Sequence, residues 1–183
     1  MVPRTRRAEA QLTVNHGGVV IVAAAGVRLT SIDVGIQPST FEFVAGRVAS
    51  GTSSCIVVVV YRLGSSPVTP LFFTELADLL DRLSTFVDPV VLAGDVNIRL
   101  ERKSDPLTVE FCDLIACYGL VQQVCEVTHD AGGTLDAVCT RDDLPLPTVE
   151  VIDVGFSDHR LLCWTSRLLK PPCLLYTSDA ADE

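Results

Sequence analysis

The sequence predicts an α/β fold in which sheets and helices stack as layers, and three observations carry that expectation. Eight short runs of four to eight residues, apolar and largely β-branched, recur along the chain. Two other stretches place apolar residues at helical spacing. No internal repeat, no G-x-G-x-x-G and no Walker motif is present, so the alternation is not that of a doubly wound nucleotide-binding domain.

In chain order, the first run, residues 19–24, follows Gly17-Gly18 and is expected to be a strand. Runs at 41–48 and 55–61 come next. Residues 56–60 are apolar without alternation, the pattern of a central strand buried on both faces. Thr69-Pro70 marks a helix start, a cap residue followed by proline at the first helical position. Phe72, Phe73, Leu76, Leu79, Leu80 and Leu83 then fall on one face of that helix. Residues 90–93 are a second unalternating run. Asp105-Pro106 opens another helix, whose apolar face is Phe111, Leu114, Ile115 and Tyr118 and whose stop is Gly119. Strands at 120–124, 135–139, 149–154 and 161–165 complete the set.

At 183 residues the chain has room for one domain with a core, and 48% hydrophobic against 20% charged residues excludes a disordered protein. The longest uncharged apolar run, residues 17–27, falls short of the ~20 residues of a membrane helix. A polar stretch separates it from Arg4, Arg6 and Arg7, which favours a strand over a signal peptide. The domain is expected over residues 17–170, after an irregular segment at 1–16. Beyond Lys170-Pro171-Pro172 the sequence CLLYTSDAADE resembles the conceptual translation of a sequencing adapter, so residues 171–183 are expected to be a disordered tail outside the fold.

Seven cysteines include no C-x-x-C pair. Cys55, Cys112, Cys117, Cys139 and Cys163 sit among apolar neighbours, where a thiol packs as a small hydrophobe, and buried free thiols suit a reducing, intracellular compartment. A net charge of −9 argues against nucleic acid at first sight. A site that holds a divalent cation needs carboxylates, however, and the ion reverses the local field.

The chemistry-bearing residues fall at strand ends. Gly94-Asp95-Val96-Asn97 follows the run at 90–93, Thr134-Leu135-Asp136 enters the one at 135–139, and Ser157-Asp158-His159 precedes the last. Singly, each has an ordinary explanation, since Asp and Asn after a strand are common turn formers. Together and in this order they resemble the endonuclease/exonuclease/phosphatase superfamily, whose later motifs read G-D-x-N, an aspartate beside a strand, and S-D-H. Gly17-Gly18-Val19-Val20-Ile21, Val60-Tyr61-Arg62, and Thr128-His129 with Gly132-Gly133-Thr134-Leu135-Asp136 narrow the resemblance to non-LTR retrotransposon endonucleases. It covers roughly residues 17–165.

The resemblance implies a two-sheet α/β sandwich and metal-dependent hydrolysis of DNA phosphodiesters with Mg2+ or Mn2+. By the same resemblance Asp95 orients or deprotonates the attacking water, and Asn97 fixes that water and a phosphate oxygen. Asp158 helps hold the metal, His159 contacts the phosphate and pairs with Asp136, and Tyr61 donates its hydroxyl to the phosphate or leaving group. Packing on the core explains Tyr61 equally well. His129 reads as a turn residue, and Glu101, Arg102, Lys103 and Asp105 as a solvated loop. Family members open with a strand ending in a metal-site asparagine and another ending in a metal-binding glutamate. Nothing in residues 1–16 matches either, so the domain is expected to lack its first strands and to hold its metal weakly. DNA is the expected substrate of the intact parent, which would carry a reverse transcriptase downstream; no membrane association is expected. A phosphatase or lipid phosphodiesterase of the same superfamily, and a non-catalytic remnant of a retrotransposon, are the alternatives.

Overall fold

The computed structural model describes residues 18–143 and 148–165. Its elements are β1 (Arg28–Ser31), β2 (Glu42–Ser50), β3 (Ser53–Tyr61), α1 (Pro70–Ser84), β4 (Val90–Asp95), α2 (Pro106–Cys117), β5 (Leu120–Gln122), β6 (Asp136–Arg141), β7 (Val149–Ile152) and β8 (Leu161–Trp164). Six strands form one sheet in the order β1-β2-β3-β4-β6-β5, and β7 pairs with β8 in a second. All neighbours are antiparallel except β3 and β4, which run parallel because α1 carries the chain back between them.

Strand alternation sorts the two faces of the large sheet. Ile56, Val58 and Val60 of β3, Leu92 of β4, and Ala137 and Cys139 of β6 point to the helices. There they meet Phe72, Leu76, Leu79, Leu80 and Leu83 of α1 and Phe111 and Ile115 of α2. On the opposite face Val91, Ala93 and Val138 pack with Val124 against Val149, Val151, Leu162 and Trp164 of the small sheet. Helices, large sheet and small sheet are thus three layers, with the two sheets face to face. The bond from the Asp105 side chain to the N–H of Leu107, at 2.9 Å, caps α2. Gly119, at φ 66°, lies just past its end.

Several expectations need correction. Residues 19–24 are not a strand: Ile21 is a single bridge position, although Val19 and Ile21 are buried against Val44. The strand at Arg28–Ser31 was not anticipated, because its Arg-Leu-Thr-Ser has one apolar residue and lies mostly exposed at the sheet edge. β3 is continuously buried only on its helix face; on the other, Cys55 is buried but Val57 and Val59 are half-buried. Cys55 and Cys139 are buried thiols as expected, but Cys117 and Cys163 are exposed. The expected irregular opening segment and adapter-like tail lie outside the described residues. Among the described residues, no helix is long and apolar enough to cross a membrane.

Candidate active site

Three strand ends meet in one row of the large sheet. Tyr61 at the end of β3 is in register with Asp95 at the end of β4, and Asp95 is in register with Asp136 at the start of β6. Side chains in register share a face. Counting by twos from Val59, from Ala93 and from Val138, that face is the one turned away from the helices.

Gly94 makes the close β3–β4 pairing possible. Its φ is 128°, and a Cβ there would lie 2.0 Å from the carbonyl oxygen of Val60. After Asp95 the chain turns through Asn97, which sits in the left-handed region at φ 51°, a conformation asparagine tolerates. Side-chain bonds hold the turn. Asp95 Oδ1 accepts the Asn97 N–H at 3.0 Å, and Asp95 Oδ2 accepts from the Asn97 side-chain nitrogen at 2.7 Å. That same nitrogen donates to the carbonyl of Arg62 at 2.8 Å. Both amide hydrogens of Asn97 are therefore engaged, and only its Oδ1 is left to face a substrate. Arg62, 4% exposed, donates to the carbonyls of Val96 and Asn97, both at 2.7 Å, and to those of Leu63 and Ser66. Its guanidinium is the internal brace of the turn.

Asp136 is fixed from the other side. The buried hydroxyl oxygen of Thr128 accepts the N–H groups of Leu135 at 3.0 Å and Asp136 at 3.2 Å. Glu101 accepts the N–H of Thr134 at 2.9 Å and also takes Arg99, whose guanidinium reaches the Gly132 carbonyl at 2.8 Å. Glu101 is thus a tie across to the Gly132-Gly133 loop, and Asp105 is a helix cap. Glu101 stays exposed, as expected of a loop residue, and Asp105 caps the helix that Asp105-Pro106 was expected to open.

The loop between β7 and β8 brings Ser157-Asp158-His159 alongside Thr128-His129. His129 and His159 form an antiparallel bridge, flanked by Asp130 N–H to Asp158 O and Arg160 N–H to Thr128 O, each 2.9 Å. The His159 ring then lies between two carboxylates. Nδ1 is 2.9 Å from Asp136 Oδ2, and Nε2 is 3.8 Å from Asp95 Oδ2. Asp158 stays 72% exposed, its carboxylate 3.5 Å from His129 Nε2. Asp95, Asn97, Asp136 and His159 are thus in contact or near contact, with Asp158 beside them. Tyr61 is their neighbour by backbone register, and its ring packs against the cluster of Val19, Ile21 and Val44.

The electrostatics follow from the crowding. Burial, and next the charge of Asp136, push the Asp95 carboxyl up to about 6, against the opposing pull of His159, the Asn97 N–H and Arg62. Burial alone would lower the His159 imidazole. Its bond to Asp136 and the charges of Asp136, Asp95 and Asp158 outweigh that and raise it above its ordinary value. A carboxyl pushed up toward 6 beside an imidazole whose charged form its carboxylate neighbours favour is suited to acid–base chemistry.

No protein-family model matches the sequence, and no curated protein resembles it closely enough to count as a relative. Solved structures do match. The endonuclease domain of TRAS1, a telomere-specific non-LTR retrotransposon, superposes with a TM-score of 0.63 at 15% identity, over 78% of this chain and 68% of that one. The chain has the endonuclease/exonuclease/phosphatase fold. A functionally unknown conserved protein from Enterococcus faecalis V583 matches at a TM-score of 0.50 and 11% identity, over 79% of this chain and 67% of its own. D. rerio TDP2, in complex with a single-strand DNA product, matches at 0.48 and 14%, over 73% and 66%. The chain spans about two thirds of the length of each of these structures.

Sequence reasoning passed over Arg62, Thr128, Glu101 and His129 as parts of the site. For Arg62 a signal existed: an arginine directly after an unbroken apolar strand is expected to find carbonyl partners when buried. His129 offered only its place in the Thr128-His129 element, because its contact with His159 joins segments 30 residues apart.

Proposed function

We propose that this chain hydrolyses phosphodiester bonds in DNA with the help of a divalent cation, in the manner of a retrotransposon endonuclease. The observation that carries the reading is the Asp95–His159–Asp136 alignment at the open end of the sheet, with the exposed Asp158 carboxylate at its rim. The donor chemistry fits a hard ion such as Mg2+ or Mn2+. Asp158 and Asp95 offer carboxylate oxygens, whereas the Nδ1 of His159 is committed to Asp136. When bound, the ion supplies charge neutralisation at the phosphate.

The chain's own residues supply the rest. Asp95, with a carboxyl near 6, is a stronger base than an ordinary aspartate yet is mostly ionised at pH 7, so it can take the proton of an attacking water. Asn97 and Arg62 hold Asp95 in place through bonds that need no rearrangement during the reaction. Asp136 keeps the proton on Nδ1 of His159 and favours the imidazolium, whose Nε2–H is then free to donate to a phosphate oxygen. Tyr61, one strand over, is the candidate donor to the leaving oxygen.

The same geometry argues for a weak hold on the metal. Among the described residues, an ion that wants ~6 oxygen ligands finds one exposed carboxylate beside the site and a second whose two oxygens already accept from Asn97. Slow turnover is the expected consequence. Substrate class is tested by offering supercoiled plasmid, p-nitrophenyl phosphate and a phosphoinositide to the purified chain in Mn2+. Plasmid relaxation with neither small substrate consumed supports the nuclease reading. Hydrolysis of the phosphomonoester alone replaces it with a phosphatase, and inertness toward all three leaves a non-catalytic remnant.

A further inference from the structure

The His129 ring is placed with more care than a turn requires. Its Nδ1 accepts the backbone N–H of Ala131 at 3.0 Å. A backbone N–H can only donate, so Nδ1 must hold its lone pair and the neutral ring carries its proton on Nε2. That nitrogen faces Asp158 Oδ2 at 3.5 Å, and the ring stands edge to face on His159, centroids 4.8 Å apart at 89°. The antiparallel bridge and the two flanking backbone bonds keep these segments from sliding past one another. The tautomer also decides what His129 is not. His129, Asp158 and His159 lie close enough together to suggest a metal group, yet a cation could take Nε2 only if its proton moved to Nδ1 and the Ala131 bond were given up.

We infer that His129 is a positioning residue: its Nε2–H orients the exposed carboxylate of Asp158 beside His159, and its ring, perpendicular to that of His159, buttresses the imidazole. The inference rests on the metal-dependent reading above and deepens it. A carboxylate that is 72% exposed would otherwise sample several rotamers, and holding it costs less once a neighbour fixes one oxygen. At 3.5 Å the contact is longer than an ordinary hydrogen bond, so His129 biases the Asp158 carboxylate by electrostatic attraction rather than clamping it.

Two near-isosteres separate this role from that of a turn residue. Asparagine reproduces the Nδ1 acceptor for Ala131 but cannot reach Asp158. Glutamine places an amide N–H near the position of Nε2 but gives up the turn. Binding of Mn2+ alone, followed by the electron paramagnetic resonance of the free ion, and thermal unfolding are measured on the full chain and on H129N, H129Q and H129A. Expected are an unchanged melting temperature but about 10-fold weaker Mn2+ binding for H129N, and a lowered melting temperature but binding within about 3-fold of wild type for H129Q. H129A should lose on both counts. Long-range 1H–15N spectra of the wild type should show the Nε2–H tautomer at His129, assigned by its disappearance in H129N. Wild-type affinity in H129N, or H129Q no better than H129A, overturns the inference while leaving the proposed function standing; so does an Nδ1–H tautomer. A wild-type chain that binds no Mn2+ overturns both.

Discussion

Replacing Gly94 with alanine probes the joint between scaffold and site. Gly94 lies in the strand that ends in Asp95, at φ 128°, and an added Cβ would sit 2.0 Å from Val60 O and 2.9 Å from Val60 N. Two costs combine. The backbone region is one that residues with a Cβ avoid, at about 1–3 kcal/mol. Forcing an atom against a fixed main chain adds about 1–3 kcal/mol more, because backbone cannot swing aside as a side chain can. A loss of about 4 kcal/mol is therefore expected, a large part of the 5–15 kcal/mol that holds a typical domain together. Any relief must part β3 from β4 across the Tyr61–Asp95 pair, so Asp95 moves away from His159 as well. Urea unfolding followed by circular dichroism measures the loss. Imidazole NMR shifts of His159, taken where the variant is still folded, measure the displacement. A midpoint corresponding to less than ~1 kcal/mol, with the His159 signals unmoved, would refute the close β3–β4 contact and with it the explanation of the glycine in the motif.

Other perturbations separate scaffold from chemistry. Gly64→Ala would place a Cβ 2.6 Å from Asn97 Oδ1, at an exposed position; stability should change by less than ~1 kcal/mol while plasmid nicking falls ~10-fold or more. Arg62→Lys gives up the planar fork that serves four carbonyls, so denaturant titration should record a loss of about 2–4 kcal/mol, and a neutral result would mean that the turn does not depend on it. Asp136→Asn should lower the titration midpoint of His159, which has lost its main partner, and that of Asp95, which has lost a repelling charge. The sign for stability follows. A histidine whose folded pKa is raised adds stability below its unfolded value of ~6.5 and loses it as pH rises through the folded one. Asp95, raised instead of depressed, costs stability as pH rises from its unfolded value of 3.8 through about 6. Asp136→Asn should therefore destabilise more at pH 5 than at pH 9, by about 1 kcal/mol after allowing for solvent screening in a half-open site, as chemical denaturation at the two pH values would measure. A larger loss at pH 9 would contradict the pairing.

Much of the fold was legible because its signals are local. Unbroken runs such as Ile56-Val57-Val58-Val59-Val60 and the Thr69-Pro70 and Asp105-Pro106 openings need no knowledge of neighbours. Edges were less legible. The Arg28–Ser31 strand exists because β2 offers it a ladder, from Arg28 opposite Ala49 to Ser31 opposite Gly46, and pairing overrides its weak pattern. Conversely, Val19 and Ile21 pack as a strand would without forming more than a bridge, so burial alone misled. In the site, the residues that carry charge could be read from their motifs. Those that hold them in place could not, because Arg62, Thr128, Glu101 and His129 act through backbone carbonyls and amides that only the folded chain brings near.

Nicking of supercoiled plasmid by the purified chain, with Mg2+ or Mn2+ and with a chelator, for wild type and Asp95→Ala, tests the central claim most directly. Slow nicking is expected, well below the 1–10³ s⁻¹ of typical enzymes, stopped by the chelator and abolished in Asp95→Ala. Nicking that survives the chelator, or that Asp95→Ala leaves unchanged, would contradict the assignment of phosphodiester hydrolysis to the Asp95–His159–Asp136 site.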